Sequence, residues 1–139
     1  MLDPFKRNIS YLRISVTDRC DLRCIYCMPK DGITWMDHDS ILSFEEIIDV
    51  VKEAVGLGVE KIRLTGGEPL VRKGIVNLVK MIAETPGVTD LAMTTNGQQL
   101  DKYANQLSSA GLNRVNVSLD TLNPVKYRKL TRGGDILKV

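Results

Sequence analysis

Residues 11–27, YLRISVTDRCDLRCIYC, place three cysteines directly after a run in which every second side chain is apolar. That alternation predicts a β-strand over residues 11–16. The loop behind the strand carries Cys20, Cys24 and Cys27 at the spacing C-x3-C-x2-C. Parallel α/β folds bind ligands at the carboxyl ends of their strands, so this stretch predicts such a fold with a binding site in the loop.

The rest of the chain alternates short apolar runs with amphipathic stretches, which is typical of parallel βα units. The Ser43 hydroxyl can cap the first helix while Glu46 reaches back. Further strands are predicted over residues 61–65, 90–94 and 114–119, and further helices over about 74–85 and 100–110. The first two helices should bury Ile47, Val50, Val51 and Val55, and Ile75, Leu78, Val79 and Ile82. We therefore expect an α/β fold with about four parallel βα units.

Polar segments follow all four predicted strands. They are the cysteine loop and residues 65–69, 94–97 and 118–120. Because the carboxyl ends of parallel strands share one edge of a sheet, these segments predict one composite site.

The composition fits a single globular domain, since 43% of the 139 residues are apolar. A formal net charge of +2 does not indicate nucleic-acid binding. No apolar run approaches the roughly 18 residues of a membrane span, and the start lacks the apolar core of a signal peptide. All three cysteines fall within eight residues, too close for a disulfide framework. We expect metal chemistry in the reducing cytoplasm, without a membrane partner.

Three thiolates on one loop can hold a compact metal centre. A cubane iron-sulfur cluster with three protein thiolates leaves one iron open, and an open iron can chelate a ligand's amino and carboxylate groups. The alternative is a structural zinc site that adds His38 to the cysteines. His38 lies among polar residues, where solvent exposure is the usual state, and we assign it no role.

The cysteine motif, with Tyr26 before its last cysteine, resembles the signature of the radical S-adenosylmethionine (SAM) superfamily. Gly66-Gly67-Glu68-Pro69 resembles that superfamily's motif for the SAM amino group. The resemblance implies a partial (β/α) barrel. It also implies a SAM-ligated 4Fe-4S cluster on three catalytic, metal-binding residues, Cys20, Cys24 and Cys27.

Several stretches are more specifically similar to the GTP 3',8-cyclase family, also called molybdenum cofactor biosynthesis protein A. They are residues 12–20, 27–29, 61–70, 94–97 and 114–120. By that resemblance the SAM-contacting positions are Tyr26, Gly67 and Ser118. The GTP-contacting positions are Arg13, Arg63 and Thr94. Arginine suits a triphosphate because its planar guanidinium can donate two parallel hydrogen bonds and because it keeps its positive charge in a closed site. The alternative for Arg13 and Arg63 is an outward, solvated side chain.

The resemblance implies a lyase of molybdenum cofactor biosynthesis. A 5'-deoxyadenosyl radical would take hydrogen from C3' of GTP, and the product would be 3',8-cyclo-7,8-dihydro-GTP. It implies an electron donor and a downstream cyclic pyranopterin monophosphate synthase, and it leaves a homodimer open. A radical SAM enzyme for a peptide or cofactor substrate, and a zinc-binding module, are the competing hypotheses.

Members of that family are more than twice as long and carry a second cysteine cluster. We therefore expect residues 1–139 to be the amino-terminal part of a radical SAM core, without the carboxyl-terminal part, and the fragment's own activity stays open. Residues 135–139 indicate the start of an amphipathic helix. Four strands alone would leave an uncovered inner face and open sheet edges.

Overall fold

The computed structural model describes residues 2–139, except the side chain of His38. Its single sheet has four parallel strands in the order β1-β2-β3-β4. The strands are β1 Tyr11–Ser15, β2 Lys61–Thr65, β3 Asp90–Thr95 and β4 Arg114–Val117. The helices are α1 Phe44–Gly56, α2 Ile75–Ala83, α3 Leu100–Ser109 and α4 Pro124–Thr131, with 3-10 turns at His38–Ser40, Pro69–Val71 and Ile136–Lys138. The predicted α/β fold with four parallel strands is confirmed.

The strand ends differ slightly from the prediction. β4 ends at Val117 rather than at 119, because it is an edge strand whose last pairing joins Thr95 to Val117. β3 extends through Thr95, one residue further than expected. Strands end where ladder pairing ends, and the sequence alone does not show the partner's length.

α1 begins at the predicted capping box. The Ser43 hydroxyl accepts a hydrogen bond from the Glu46 backbone N–H at 3.1 Å, and Glu46 accepts one from the Ser43 N–H at 2.7 Å. The prediction that Val50 is buried was wrong, since it is 48% exposed and Ile48 is buried instead. Around the helix axis Val50 lies about 100° from the buried Val51, whereas Ile48 lies about 60° from it.

The chain end also differs from the prediction. An α-helix, α4, precedes the expected one, and residues Ile136–Lys138 form only a 3-10 turn. α4 has a clear amino-terminal signal, with Asn123 capping and Pro124 in the first turn. Its sequence carries only a weak apolar pattern, and in the structure α4 buries only Tyr127 and Thr131. The helix was therefore missed from periodicity.

The hydrophobic core lies on one face of the sheet, beneath α1, α2 and α3. Alternation directs Ile62, Leu64, Leu91 and Met93 to this face, and the four predicted α2 residues pack in the same core. Side chains on the opposite face are mostly polar and exposed or half-buried. Among the described residues no helix is long and apolar enough to cross a bilayer.

Candidate functional site at the carboxyl ends of the strands

The loops after β1 and β2 meet backbone to backbone. The N–H of Gly67 donates to the Thr17 carbonyl at 2.8 Å, and that of Glu68 donates to the Arg19 carbonyl at 2.8 Å. A Cβ on Gly67 would lie 2.2 Å from the Arg19 oxygen, and one on Gly66 would lie 2.4 Å from the Thr17 oxygen. Both glycines are therefore required by this close approach of two backbones.

Glu68 joins the loop after β2 to the loop after β3. Its carboxylate, 1% exposed, accepts hydrogen bonds from the Leu70 N–H at 3.0 Å, the Thr95 hydroxyl at 2.7 Å and the Asn96 N–H at 2.7 Å. Burial raises the pKa of Glu68, whereas the three donors favour the carboxylate and oppose that shift. The acidic member of the Gly-Gly-Glu-Pro segment thus faces the protein interior and fixes the site's shape.

Asn96 connects the β3 loop to the cysteine loop. Its side-chain amide donates to the Asp21 carboxylate at 2.7 Å and lies 3.9 Å from the Cys20 sulfur. Gln99 donates to the other Asp21 oxygen at 2.9 Å. The sequence marked residues 94–97 as a polar strand end but did not single out Asn96, because its partners lie about 75 residues away in the chain.

The three cysteines are free thiols on one loop. Cys20 and Cys24 are half-buried, and burial raises the pKa of both thiols, while Cys27 is exposed. The Leu22 N–H points at the Cys20 sulfur at 3.4 Å. The Cys24 carbonyl accepts hydrogen bonds from the N–H groups of Cys27 at 3.0 Å and Met28 at 3.2 Å, which closes a tight turn.

This donor set fits an iron-sulfur cluster, whose protein ligands are cysteine thiolates with N–H donors directed at the sulfurs. Within the described part of the chain, no three histidine, cysteine or carboxylate side chains converge around a point for a single metal ion. The expectation that His38 has no role, and the zinc site that would use it, concern a side chain outside the described residues.

Tyr26 reaches across the sheet edge to the loop after β4. Its hydroxyl donates to Asp120 at 2.6 Å, and this bond raises the pKa of Tyr26 well above the usual value. Ser118, two residues before Asp120, donates its N–H to the Thr95 carbonyl at 2.8 Å. The predicted SAM-contacting residues Tyr26, Gly67 and Ser118 are all exposed along the same edge. Asp120 was not predicted as a site residue.

The residues proposed for GTP lie on the sheet face opposite the core. Arg13 pairs in register with Arg63, and Arg63 pairs with Ala92, two residues before Thr94. Alternation places the side chains of Arg13, Arg63 and Thr94 on this one face. The Arg63 guanidinium lies 5.6 Å from the ring centroid of Tyr11, and its buried Nε has no hydrogen-bond partner among the described residues. Arg63 thus offers a donor that no described residue uses.

Comparison of the sequence with known proteins identifies relatives of this chain. Residues 14–139 match the sequence model of the radical SAM superfamily. A GTP 3',8-cyclase of Alkaliphilus oremlandii is 58% identical over 139 residues, which is 100% of this chain and 43% of that protein. A GTP 3',8-cyclase of Petrotoga mobilis is 56% identical over 135 residues, 97% of this chain and 42% of that protein. The chain thus spans less than half the length of the curated relatives it matches.

Solved structures show the same fold. Streptococcus suis SuiB bound to the precursor peptide SuiA has a TM-score of 0.73 at 23% identity, over 90% of this chain and 27% of SuiB. BtrN in complex with AdoMet and 2-DOIA has a TM-score of 0.62 at 20% identity, over 95% of this chain and 54% of BtrN. At these identities the likeness extends to the fold alone.

Proposed function

This chain belongs to the radical SAM superfamily, and we propose that it forms the amino-terminal part of the catalytic core of a GTP 3',8-cyclase. The proposal is supported by identity of 58% to a relative of that name across the whole chain. The structural observation that carries it is the register pairing of Arg13 with Arg63 on the open sheet face. That pairing sets two cations side by side on a face whose rim carries the cysteine loop.

We assign the cluster to Cys20, Cys24 and Cys27. When bound and reduced, such a cluster supplies the single electron that splits SAM into methionine and a 5'-deoxyadenosyl radical. The protein's part is to hold the loop in shape. It does so through the Cys24 turn, the Leu22 N–H at Cys20, and the amide of Asn96 near the same sulfur.

SAM is assigned to the rim between the cysteine loop and the loops after β2 and β4. Gly67 is exposed on this rim, and its lack of a Cβ lets the Arg19 backbone of the cysteine loop lie against it. Tyr26 is held in place by Asp120, so its ring is preorganised although 60% of the residue is exposed. Ser118 directly follows the edge strand β4, is exposed, and donates its N–H to the Thr95 carbonyl.

GTP is assigned to the open sheet face. Arg13 and Arg63 would bind the triphosphate through charge-assisted hydrogen bonds, and Thr94 supplies a hydroxyl nearer the rim. The Nε of Arg63, which is buried and has no partner among residues 2–139 as described, supports this role, because a buried donor without a partner is costly unless a ligand satisfies it. An electron donor, a downstream cyclic pyranopterin monophosphate synthase and a cytoplasmic location belong to the same proposal.

The test is a reaction with the complete polypeptide that carries this sequence. The protein is loaded with iron and sulfide without oxygen, then reduced in the presence of SAM and GTP. We expect 5'-deoxyadenosine and a cyclised nucleotide, 3',8-cyclo-7,8-dihydro-GTP, to accumulate together. Formation of 5'-deoxyadenosine without loss of GTP would contradict GTP as the substrate, and a protein that takes up no iron under these conditions would defeat the cluster assignment as well.

A further inference from the structure

The carboxyl end of α4 packs directly on the cysteine loop. The Arg23 N–H donates to the Thr131 carbonyl at 3.2 Å, and the Ile25 N–H donates to the Leu130 carbonyl at 2.9 Å. These bonds use helix-end carbonyls that have no partner within α4. The loop that carries the cysteines is therefore supported by a helix more than 100 residues later in the chain.

Arg132, the residue after α4, adds a side-chain link to the same loop. One terminal guanidinium nitrogen, Nη1, donates to the carbonyls of Arg23 at 3.2 Å and Met28 at 2.9 Å. These two carbonyls flank the segment that runs from Cys24 to Cys27. The Cys24 carbonyl accepts the hydrogen bonds that form the turn in this segment, and Arg132 binds the carbonyls on either side of it.

The backbone of Arg132 indicates that its side chain is needed. Its φ of 53° and ψ of 49° lie in the left-handed region, which glycine occupies without strain at helix ends. Among the described residues only Lys6 is another non-glycine with positive φ. A glycine would cap α4 at lower backbone cost, so the arginine is explained by the contacts of its guanidinium rather than by the cap.

We propose that Arg132 is a positioning residue for the iron-sulfur cluster, an inference that rests on the proposed function. It fixes the spacing of the Cys24 and Cys27 thiolates, and it brings a permanent positive charge to the turn that carries them. A cluster held by thiolates is anionic, and its stability and reduction potential depend on nearby hydrogen bonds and charges. The conservative substitute, lysine, keeps the charge but lacks the planar fork.

The experiment compares Arg132→Gly, Arg132→Lys and the matched control Arg128→Ala in the complete polypeptide. Arg128 lies on the same helix, is exposed and makes no described side-chain contact with the cysteine loop. The measurements are the rate of iron release to a chelator, the electron paramagnetic resonance spectrum of the reduced cluster, and the thermal midpoint of the iron-free protein.

Arg132→Gly is expected to release iron about tenfold faster, with an altered spectrum. Its iron-free thermal midpoint should change little, because the relief of the left-handed backbone offsets the loss of the two hydrogen bonds from the guanidinium. Arg132→Lys should lie between this variant and the unaltered protein, and Arg128→Ala should match the unaltered protein. If Arg132→Gly and the unaltered protein release iron at the same rate, the inference about Arg132 fails while the proposed function stands. A clearly lowered midpoint of the iron-free variant also overturns the inference, because it assigns Arg132 a purely structural role. If the unaltered protein binds no iron, the proposed function fails too.

Discussion

The Thr95 hydroxyl donates a 2.7 Å hydrogen bond to the Glu68 carboxylate, and both side chains are buried. The bond joins the end of β3 to the first turn after β2. The Asn96 N–H at 2.7 Å adds a second link to the same carboxylate. Through the side chain of Asn96 the connection continues to Asp21 in the cysteine loop. Three strand ends are thus linked by the protein's own side chains, so the shape of the site is set before any ligand binds.

Glu68→Gln should destabilise the protein. One of the two carboxylate oxygens becomes an NH2 group, whereas every partner of Glu68 is a donor. The new group would therefore face either the Asn96 N–H, or both the Leu70 N–H and the Thr95 hydroxyl. A buried donor left unpaired costs about 1–3 kcal/mol in the free energy of unfolding. Urea unfolding measures this loss. Glu84→Gln is the control, since its ion pair with Lys80 is exposed and worth at most about 0.5 kcal/mol. Equal losses for the two variants would contradict a special role for Glu68.

Two glycine-to-alanine changes should shift stability in opposite directions. Gly67→Ala places a Cβ 2.2 Å from the Arg19 carbonyl, so the two loops must separate, at a cost of about 1–3 kcal/mol. Gly56→Ala meets nothing within 4 Å and is the last residue of α1, where alanine should be favoured by about 0.4–1 kcal/mol. Thermal unfolding of both variants checks the signs. SAM affinity should fall only for Gly67→Ala, and a Gly67→Ala protein of normal stability would show that the loops do not need this contact.

The ion pair between the half-buried Asp90 and the exposed Arg114 should make a pH-dependent contribution to stability. Hydrogen bonds from the Arg114 guanidinium lower the pKa of Asp90. A lowered folded-state pKa means that the contribution is present above the unfolded pKa of about 3.9 and is lost as pH falls through the folded value. Asp90→Asn should therefore be less stable than the unaltered protein near neutral pH and equal to it at strongly acidic pH. Unfolding curves across this range test the sign, and a gap that widens in acid would refute it.

The sequence predicted those parts of the fold that depend on local patterns. β2 was predicted at its observed bounds, and the buried positions of α2 follow from helical spacing. It also predicted that polar strand ends share one edge, because parallel strands force that arrangement. α4 was missed because its stability comes from contacts with the cysteine loop and from Tyr127, rather than from an apolar stripe.

Within the candidate site, the sequence predicted roles for the thiols and glycines but not for the residues that hold them. Asn96, Asp120 and Arg132 act through partners 75 to 109 positions away. No periodicity or short motif encodes such pairs, since each needs the strand order and the loop paths to be known. The register that places Arg13 beside Arg63 is likewise a property of the folded sheet.

Arg63→Ala should raise the KM for GTP and lower kcat/KM about 10- to 100-fold in the complete polypeptide, because a charge-assisted hydrogen bond contributes about 1.5–3 kcal/mol. Splitting of SAM should persist, since Arg63 lies on the open sheet face and the cysteines lie in the loop after β1. The ratio of 5'-deoxyadenosine to cyclised nucleotide should therefore rise. Arg128→Ala removes the same charge from the surface of α4 and should leave both kinetic constants unchanged. If Arg63→Ala kept the normal KM for GTP, the arginine would be a solvated surface residue, and the triphosphate would bind elsewhere.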